Sequence, residues 1–181
     1  MVLAGPSAVG KGTVIRTLLA REPELWLSVS ANTRAPRPGE REGVDYVFLS
    51  REAFEALRDA GGFLEWFEVY GDLKGTPRAP VEERLDAGHD VLLEIDVQGA
   101  LEVRRQHPEA LLVFLAPPSR EEQRRRIQAR GDADPADVER RLDAAVAEEA
   151  LAIDFDHVVV NDEVDAAVAQ VAGILAARRR A

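Results

Sequence analysis

GPSAVGKGT, residues 5–13, follows the apolar run Val2-Leu3-Ala4 and precedes a stretch in which Val14, Ile15, Leu18 and Leu19 recur at helical spacing. A glycine-rich turn between a buried strand and an amphipathic helix has the form of a phosphate cradle. Backbone N–H groups surround phosphate oxygens, the helix turns its positive end toward them, and a lysine reaches the outer phosphates. Gly5, Gly10 and Lys11 fill the G-x-x-x-x-G-K spacing, so Gly5, Pro6, Ser7, Ala8, Val9, Gly10, Lys11, Gly12 and Thr13 are candidate triphosphate-binding positions. The lysine itself is informative. Only two of the 23 basic residues are lysines, Lys11 and Lys74, and a compact ammonium on a flexible stem suits a phosphate loop. Gly12 stands where a Ser or Thr hydroxyl usually meets magnesium, and Thr13 comes one residue late. Glu94 and Asp96, two apart at a strand end, are candidates to orient the water of a bound Mg2+.

The bulk composition narrows the classes. A chain of 181 residues with 46% hydrophobic and 31% charged residues suits one globular domain, and no apolar run approaches the roughly 20 residues of a membrane span. A net charge of −10 argues against wrapping a nucleic-acid backbone. The absence of cysteine excludes disulfides and thiolate metal sites, and three scattered histidines make a poor zinc site. With no basic-then-apolar leader at its start, the chain is expected to be cytoplasmic.

Along the chain, VLA, WLSVS, FLEWFEVY, DVLLEID, ALLVFLAP and HVVV read as strands. Helices are expected after the glycine loop, through REAFEALRDA capped by Ser50, and through PVEERLDAG and VQGALEVRRQ. Three more follow: REEQRRRIQAR with a Ser119/Glu122 capping box, a helix from Pro135, and the closing EVDAAVAQVAGILAARRR. Strands alternating with helices imply an α/β fold with a parallel core sheet covered on both faces. ANTRAPRPGEREGVDY is too irregular for a helix and too charged to bury, and reads as a working loop.

SVSANTRAPRPGEREGVDY, GFLEW, GTPR, LLEIDVQGA, FLAPPS, ARG and VVVND, in this order, resemble the guanylate kinase family over essentially the whole chain, and GKGT resembles the loop of nucleoside monophosphate kinases. The resemblance implies a three-layer P-loop fold with a core over about 1–31, 82–118 and 150–181. It also implies a small mixed α/β GMP-binding lobe over about 32–81 and a helical lid over about 119–149. The implied activity is transfer of the γ-phosphoryl group of ATP to GMP, with ATP and GMP as small-molecule partners and no nucleic acid or membrane.

Arg34 and Arg37 flank Pro36, and two planar guanidiniums held apart by a fixed φ suit a phosphate, the alternative being a solvated basic loop. By resemblance they hold the GMP phosphate with Tyr46, and Glu40 would fix one of them. Strand alternation sets Glu65 beside Phe63, Phe67 and Val69. An ionised carboxylate there can accept both adjacent donors of guanine, which adenine lacks; an acid at an exposed strand edge is the plainer alternative. The resemblance puts Glu65 and Asp96 on the guanine donors and Ser30 and Thr76 at O6. Glu94 and Asp96 face one way at a strand end. Arg126 and Arg130 share a helix face and, with Arg141, resemble the family's lid arginines, while Arg120 and Arg124 better suit salt bridges. Asn161 matches a family residue near adenine.

Leu73 and Lys74 stand where the family has tyrosines, and Lys74 is expected to replace a hydroxyl contact to the GMP phosphate. Ala4 and Ala8 replace Ser and Gly with little expected effect. Two other readings remain open at this point: a binding module that has lost catalysis, and a P-loop kinase acting on a ribose bisphosphate.

Overall fold

Val2, Leu3 and Ala4 are buried on both sides, as a central strand of a parallel sheet must be. In the computed structural model, which describes residues 1–69, 71–129 and 135–180, this strand, β1 (Val2–Ala4), lies between β7 (Val91–Glu94) and β8 (Leu112–Ala116). Val2 pairs with Leu93 on one side, and Leu3 with Val113 on the other. β2 (Trp26–Leu27) and β9 (His157–Val160) extend the sheet to the order β2-β7-β1-β8-β9, all parallel. Alternation divides the core. Leu3, Val113 and Leu115 pack with Val14, Ile15 and Leu18 of α1 (Lys11–Arg21) and Val168 and Val171 of α7 (Val164–Arg178). Val2, Ala4, Leu112 and Phe114 pack on the other face with Val97, Ala100 and Val103 of α4 (Val97–Gln106). The three-layer α/β architecture expected from the sequence is present.

A second sheet has the order β4-β3-β6-β5, formed by β3 (Ala31–Asn32), β4 (Val47–Phe48), β5 (Phe63–Val69) and β6 (Asp72–Pro77). β3 and β4 are parallel and the other pairs antiparallel. α2 (Arg51–Asp59) covers it. Ser50 caps this helix through a 3.1 Å bond from the Ala53 amide, and the fully buried Phe54 stacks on Phe63 at 4.2 Å.

Two local expectations need correction. WLSVS is a strand only at Trp26–Leu27, because the chain then leaves the core sheet and joins the second one at Ala31. GDLKGTP, to which the sequence reading assigned no element, forms β6. Phe63 does not stand beside Glu65: a register shift between them turns Phe63 into the cluster of Phe54, Ala31 and Leu73.

α3 (Arg78–Asp86) returns the chain to the core sheet, and α5 (Arg120–Ala129) and α6 (Pro135–Ala150) lie beyond β8. The Ser119/Glu122 box is half made. The Glu122 amide donates to Ser119 Oγ at 3.1 Å, but the Glu122 carboxylate turns to Arg125 and Arg126, where two guanidinium partners outcompete one amide. Among the described residues no helix is long and apolar enough to cross a membrane.

Candidate active site

The loop between β1 and α1 lies directly on β8. A Cβ on Gly5, whose φ is +154°, would meet the Leu115 carbonyl oxygen at 2.2 Å, so no other residue fits there. Side chains from three further elements hold the loop by its carbonyls. Asn161, after β9, donates from Nδ2 to the Val9 oxygen at 2.8 Å. Gln123 of α5 donates from Nε2 to the Ser7 oxygen at 3.0 Å. Arg126 donates to the Val9 oxygen at 3.3 Å and to the Asn161 oxygen at 3.2 Å, while Glu122 accepts from its Nε at 2.8 Å. With its Ser7 and Val9 carbonyls bound from behind, the loop is braced against α5 and the segment after β9.

Ala8 takes a left-handed φ of 61° and packs its methyl against Ile127, Val138 and Leu142 of α5 and α6. The methyl joins the phosphate loop to the two helices.

In front of residues 5–12 lies a cleft of ≈ 520 Å³, closed by Glu94, Asp96, Arg140, Arg141, Ala144 and Glu148. Lys11 donates to the Gly5 carbonyl. Burial draws its ammonium below the ordinary value, against the pull of Asp96, Glu94 and Glu148. A smaller cleft of ≈ 130 Å³ is lined by Lys11, Ser30, Asp45, Tyr46, Lys74, Glu94 and Asp96, among others. Lys11, Glu94 and Asp96 line both, so the two clefts share a wall. Among the described residues no three carboxylate or histidine groups gather closely enough to hold a bare ion. Two carboxylates beside Lys11 instead fit a hydrated ion held mainly by phosphates.

Behind the smaller cleft, Glu65 is 6% exposed. Thr76, with no exposed surface, donates its hydroxyl to Glu65 Oε1 at 2.6 Å, and Gly99 of α4 lies so close that a Cβ would meet Oε2 at 3.0 Å. Burial pushes the Glu65 carboxyl up, opposed by the Thr76 hydrogen bond and the Lys74 charge. At the cleft's outer edge Glu40 holds Arg34 in a two-pronged fork at 2.6 and 2.7 Å and accepts from the Arg37 amide at 2.8 Å. The Arg34 hydrogen bond, above all, brings the Glu40 carboxyl down to about 2. Arg34 and Lys74 both approach the Tyr46 ring, at 5.0 and 5.7 Å from its centre.

The guanylate kinase family model matches residues 1–178. This chain belongs to the guanylate kinase family. Guanylate kinases of Parasynechococcus marenigrum and Nocardia farcinica are 53% and 54% identical to it, each covering 96% of this chain and 96% and 91% of their own length. A guanylate kinase of Thermus thermophilus is 54% identical over 99% of this chain and 81% of its own. The crystal structure of guanylate kinase from Anaplasma phagocytophilum superposes with a TM-score of 0.79 at 36% identity, over 97% of this chain and 83% of that one. The chain is accordingly a kinase, a transferase acting on nucleotides.

The guanylate kinase pattern read in the sequence is largely brought together by the fold. Gly5 to Gly12, Glu94, Asp96 and Arg141 meet in one cleft, and Ser30, Tyr46, Lys74 and Asp96 in the other. Four residues sit differently from expectation. Thr76 commits its proton to Glu65, so it has none to donate to guanine O6. Asn161, 2% exposed, braces the loop from behind and does not line the larger cleft. Arg126 grips loop carbonyls rather than lining that cleft, and Thr13 is exposed beyond the lining. Arg130 lies outside the described residues. The expected salt bridges of Arg124 and Arg120 form with Glu139 and Glu149.

Gln123, Arg140 and Glu148 escaped the sequence reading. The i, i+3, i+7 spacing of Arg141, Ala144 and Glu148 on α6 was the available signal for Glu148. Gln123 offered none, since its partner is a backbone carbonyl 116 positions away.

Proposed function

We propose that the chain transfers the γ-phosphoryl group of ATP to the phosphate of GMP, giving ADP and GDP, across the wall that the two clefts share. The observation that carries this reading is the position of Lys11, Glu94 and Asp96 in both linings. The triphosphate lies along residues 5–13, where the N-terminus of α1 turns its positive end toward the phosphate oxygens, the Thr13 and Val14 amides already bonding the Gly10 carbonyl. Lys11 leaves the Gly5 carbonyl for the β and γ oxygens.

Ser30, Arg34, Arg37, Tyr46 and Lys74 hold the acceptor nucleotide, with Glu40 keeping Arg34 in its fork. Glu65 and Asp96 accept from the guanine donors, and Thr76 holds Glu65 in place. An acceptor site built for those hydrogen bonds rejects adenine, because AMP would leave a buried carboxylate unanswered. A ribose bisphosphate would leave it unanswered too.

Phosphoryl transfer spreads charge over the moving group, so fixed cations rather than a protein nucleophile supply the catalysis. Lys11 and Arg141, which line the cleft, are the cations assigned to it, with Arg126 and Arg130 from the sequence pattern alone. Glu94 and Asp96 would support the water shell of Mg2+, which when bound neutralises phosphate charge and orients the reacting oxygens. The same reading places the chain in the cytoplasm, in keeping with its lack of cysteine.

A coupled assay of ADP release across GMP, dGMP, AMP, CMP, UMP and ribose 1,5-bisphosphate tests the assignment. Turnover is expected with guanine acceptors, and Lys11→Ala is expected to lower kcat by about 10³-fold with the fold intact. Equal rates with AMP, or an active Lys11→Ala enzyme, would refute it.

A further inference from the structure

β6 sets Lys74 opposite Phe67 of β5 and Asn32 of β3, half-buried at the outer side of the smaller cleft. Arg34 approaches the same tyrosine ring, but its charge is already answered by the Glu40 fork. Among the described residues no carboxylate forms an ion pair with Lys74. The other charged and titratable groups around it come from every neighbouring element: Glu65 from β5, Asp45 and Tyr46 from the segment before β4, Glu94 and Asp96 from the end of β7, and Lys11 from α1. Four of these are carboxylates. The four carboxylates press a phosphate monoester placed among them to keep its last proton, which it otherwise loses near pH 6, while Lys11 and the loop arginines Arg34 and Arg37 pull the other way, and Lys74 adds to them a charge that no ion pair has answered.

We propose that Lys74 holds the phosphate of bound GMP in its dianionic form, the form that attacks, down into mildly acidic solution. The inference rests on the reading of this cleft as the GMP site. An oxygen lone pair of the dianion forms the new bond to the γ-phosphorus. The bond from that phosphorus to the β,γ-bridging oxygen breaks, and ADP departs with its electron pair. No proton has to be removed along the way, whereas a monoanionic acceptor must shed one. A neutral hydroxyl at position 74 could hydrogen-bond the phosphate but would exert no such charge effect, so the lysine widens the acid range of the acceptor as well as binding it.

Phosphorus NMR of saturating GMP on the whole enzyme, without ATP, titrated across pH 4.5–8, tests this on wild type, Lys74→Gln and Lys74→Arg. Circular dichroism of each variant checks its fold. The midpoint of the bound phosphate is expected to lie about 0.5–1 pH unit lower in wild type and Lys74→Arg than in Lys74→Gln. The acid limb of kcat/KM for GMP is expected to move with it. Coincident midpoints in wild type and Lys74→Gln would overturn the proposal while leaving the GMP site in place. Should wild type give no bound resonance, or should Arg34→Ala leave that resonance unmoved, the reading of the cleft itself falls.

Discussion

Glu65 is a carboxylate kept where burial opposes its charge, and the opposition gives a measurable sign. A carboxyl whose folded pKa is raised binds its proton more tightly in the native state than in the unfolded one. As pH rises through the ordinary value of 4.5, the unfolded chain ionises first and stability is lost. Glu65→Gln removes the charge while its amide oxygen can still accept from Thr76. The variant is therefore expected to melt higher than wild type at pH 7, by roughly 2–4 °C for about 1 kcal/mol in a chain of this length, and the gain should vanish near pH 4. Thermal melts at the two pH values check this, and a variant that melts lower at pH 7 would contradict it. The same substitution should erase the preference for GMP over AMP, because the amide presents a donor where guanine needs an acceptor. At this scale the acid among apolar neighbours was legible in FLEW, since burying a charge demands a reason. The role of Thr76 was not, because a hydroxyl suits many partners and its nearest one is set by pairing across β5 and β6.

Elements whose own sequence supports them were read from it closely, and those made by their partners were not. α4 begins and ends where VQGALEVRRQ does, and β9 is HVVV itself. β6 contains Asp, Lys, Gly and Pro, all poor strand formers, and is ordered by β5 on one side and β3 on the other. β3 has two residues, too few for any alternation to show. α5 lies between these cases: its extent was legible, but its attachment to the phosphate loop was not. Gln123 has no exposed surface; its Nε2 holds the Ser7 carbonyl, and its Oε1 accepts from Arg120 at 3.3 Å. Gln123→Ala would take away the side-chain donor of the half-buried Ser7 carbonyl and leave a void beneath the loop, costing about 1–3 kcal/mol. Because that carbonyl belongs to the loop, the Michaelis constant for ATP is expected to rise by about 10-fold while that for GMP changes little. Steady-state kinetics with each nucleotide varied in turn would decide, and a variant that weakened both equally would show the helix to be only structural.

At the scale of the molecule, a chain of net charge −10 must bring two anionic nucleotides into contact, so cations have to be gathered where the phosphates meet. They come from separate bodies of structure: Lys11 from the core sheet's loop, Arg34 and Lys74 from the second sheet, Arg141 from α6. α6 also carries Glu148 into the larger cleft, where burial pushes its carboxyl up and the Lys11 charge pulls it down. A triphosphate entering that cleft competes with Glu148 for Lys11. Its binding therefore favours movement of α6 that keeps Arg141 near the phosphates and relieves the carboxylate. On the proposed reading GMP would draw the second sheet inward by the same logic, through Arg34, Arg37 and Lys74. Each nucleotide alone has cations to gather from one side only, so full closure, with water excluded from the transfer, requires both. Small-angle scattering should then show a radius of gyration near roughly 16 Å for the free chain. ATP alone and GMP alone should each reduce it slightly, and an analogue joining the two nucleosides through five phosphates should reduce it by more, on the order of 1 Å. The ordering of the four profiles is the test. An analogue profile that coincides with that of the free chain would mean that the cations stand in place already, and that the shared wall rather than any closing motion brings the phosphates together.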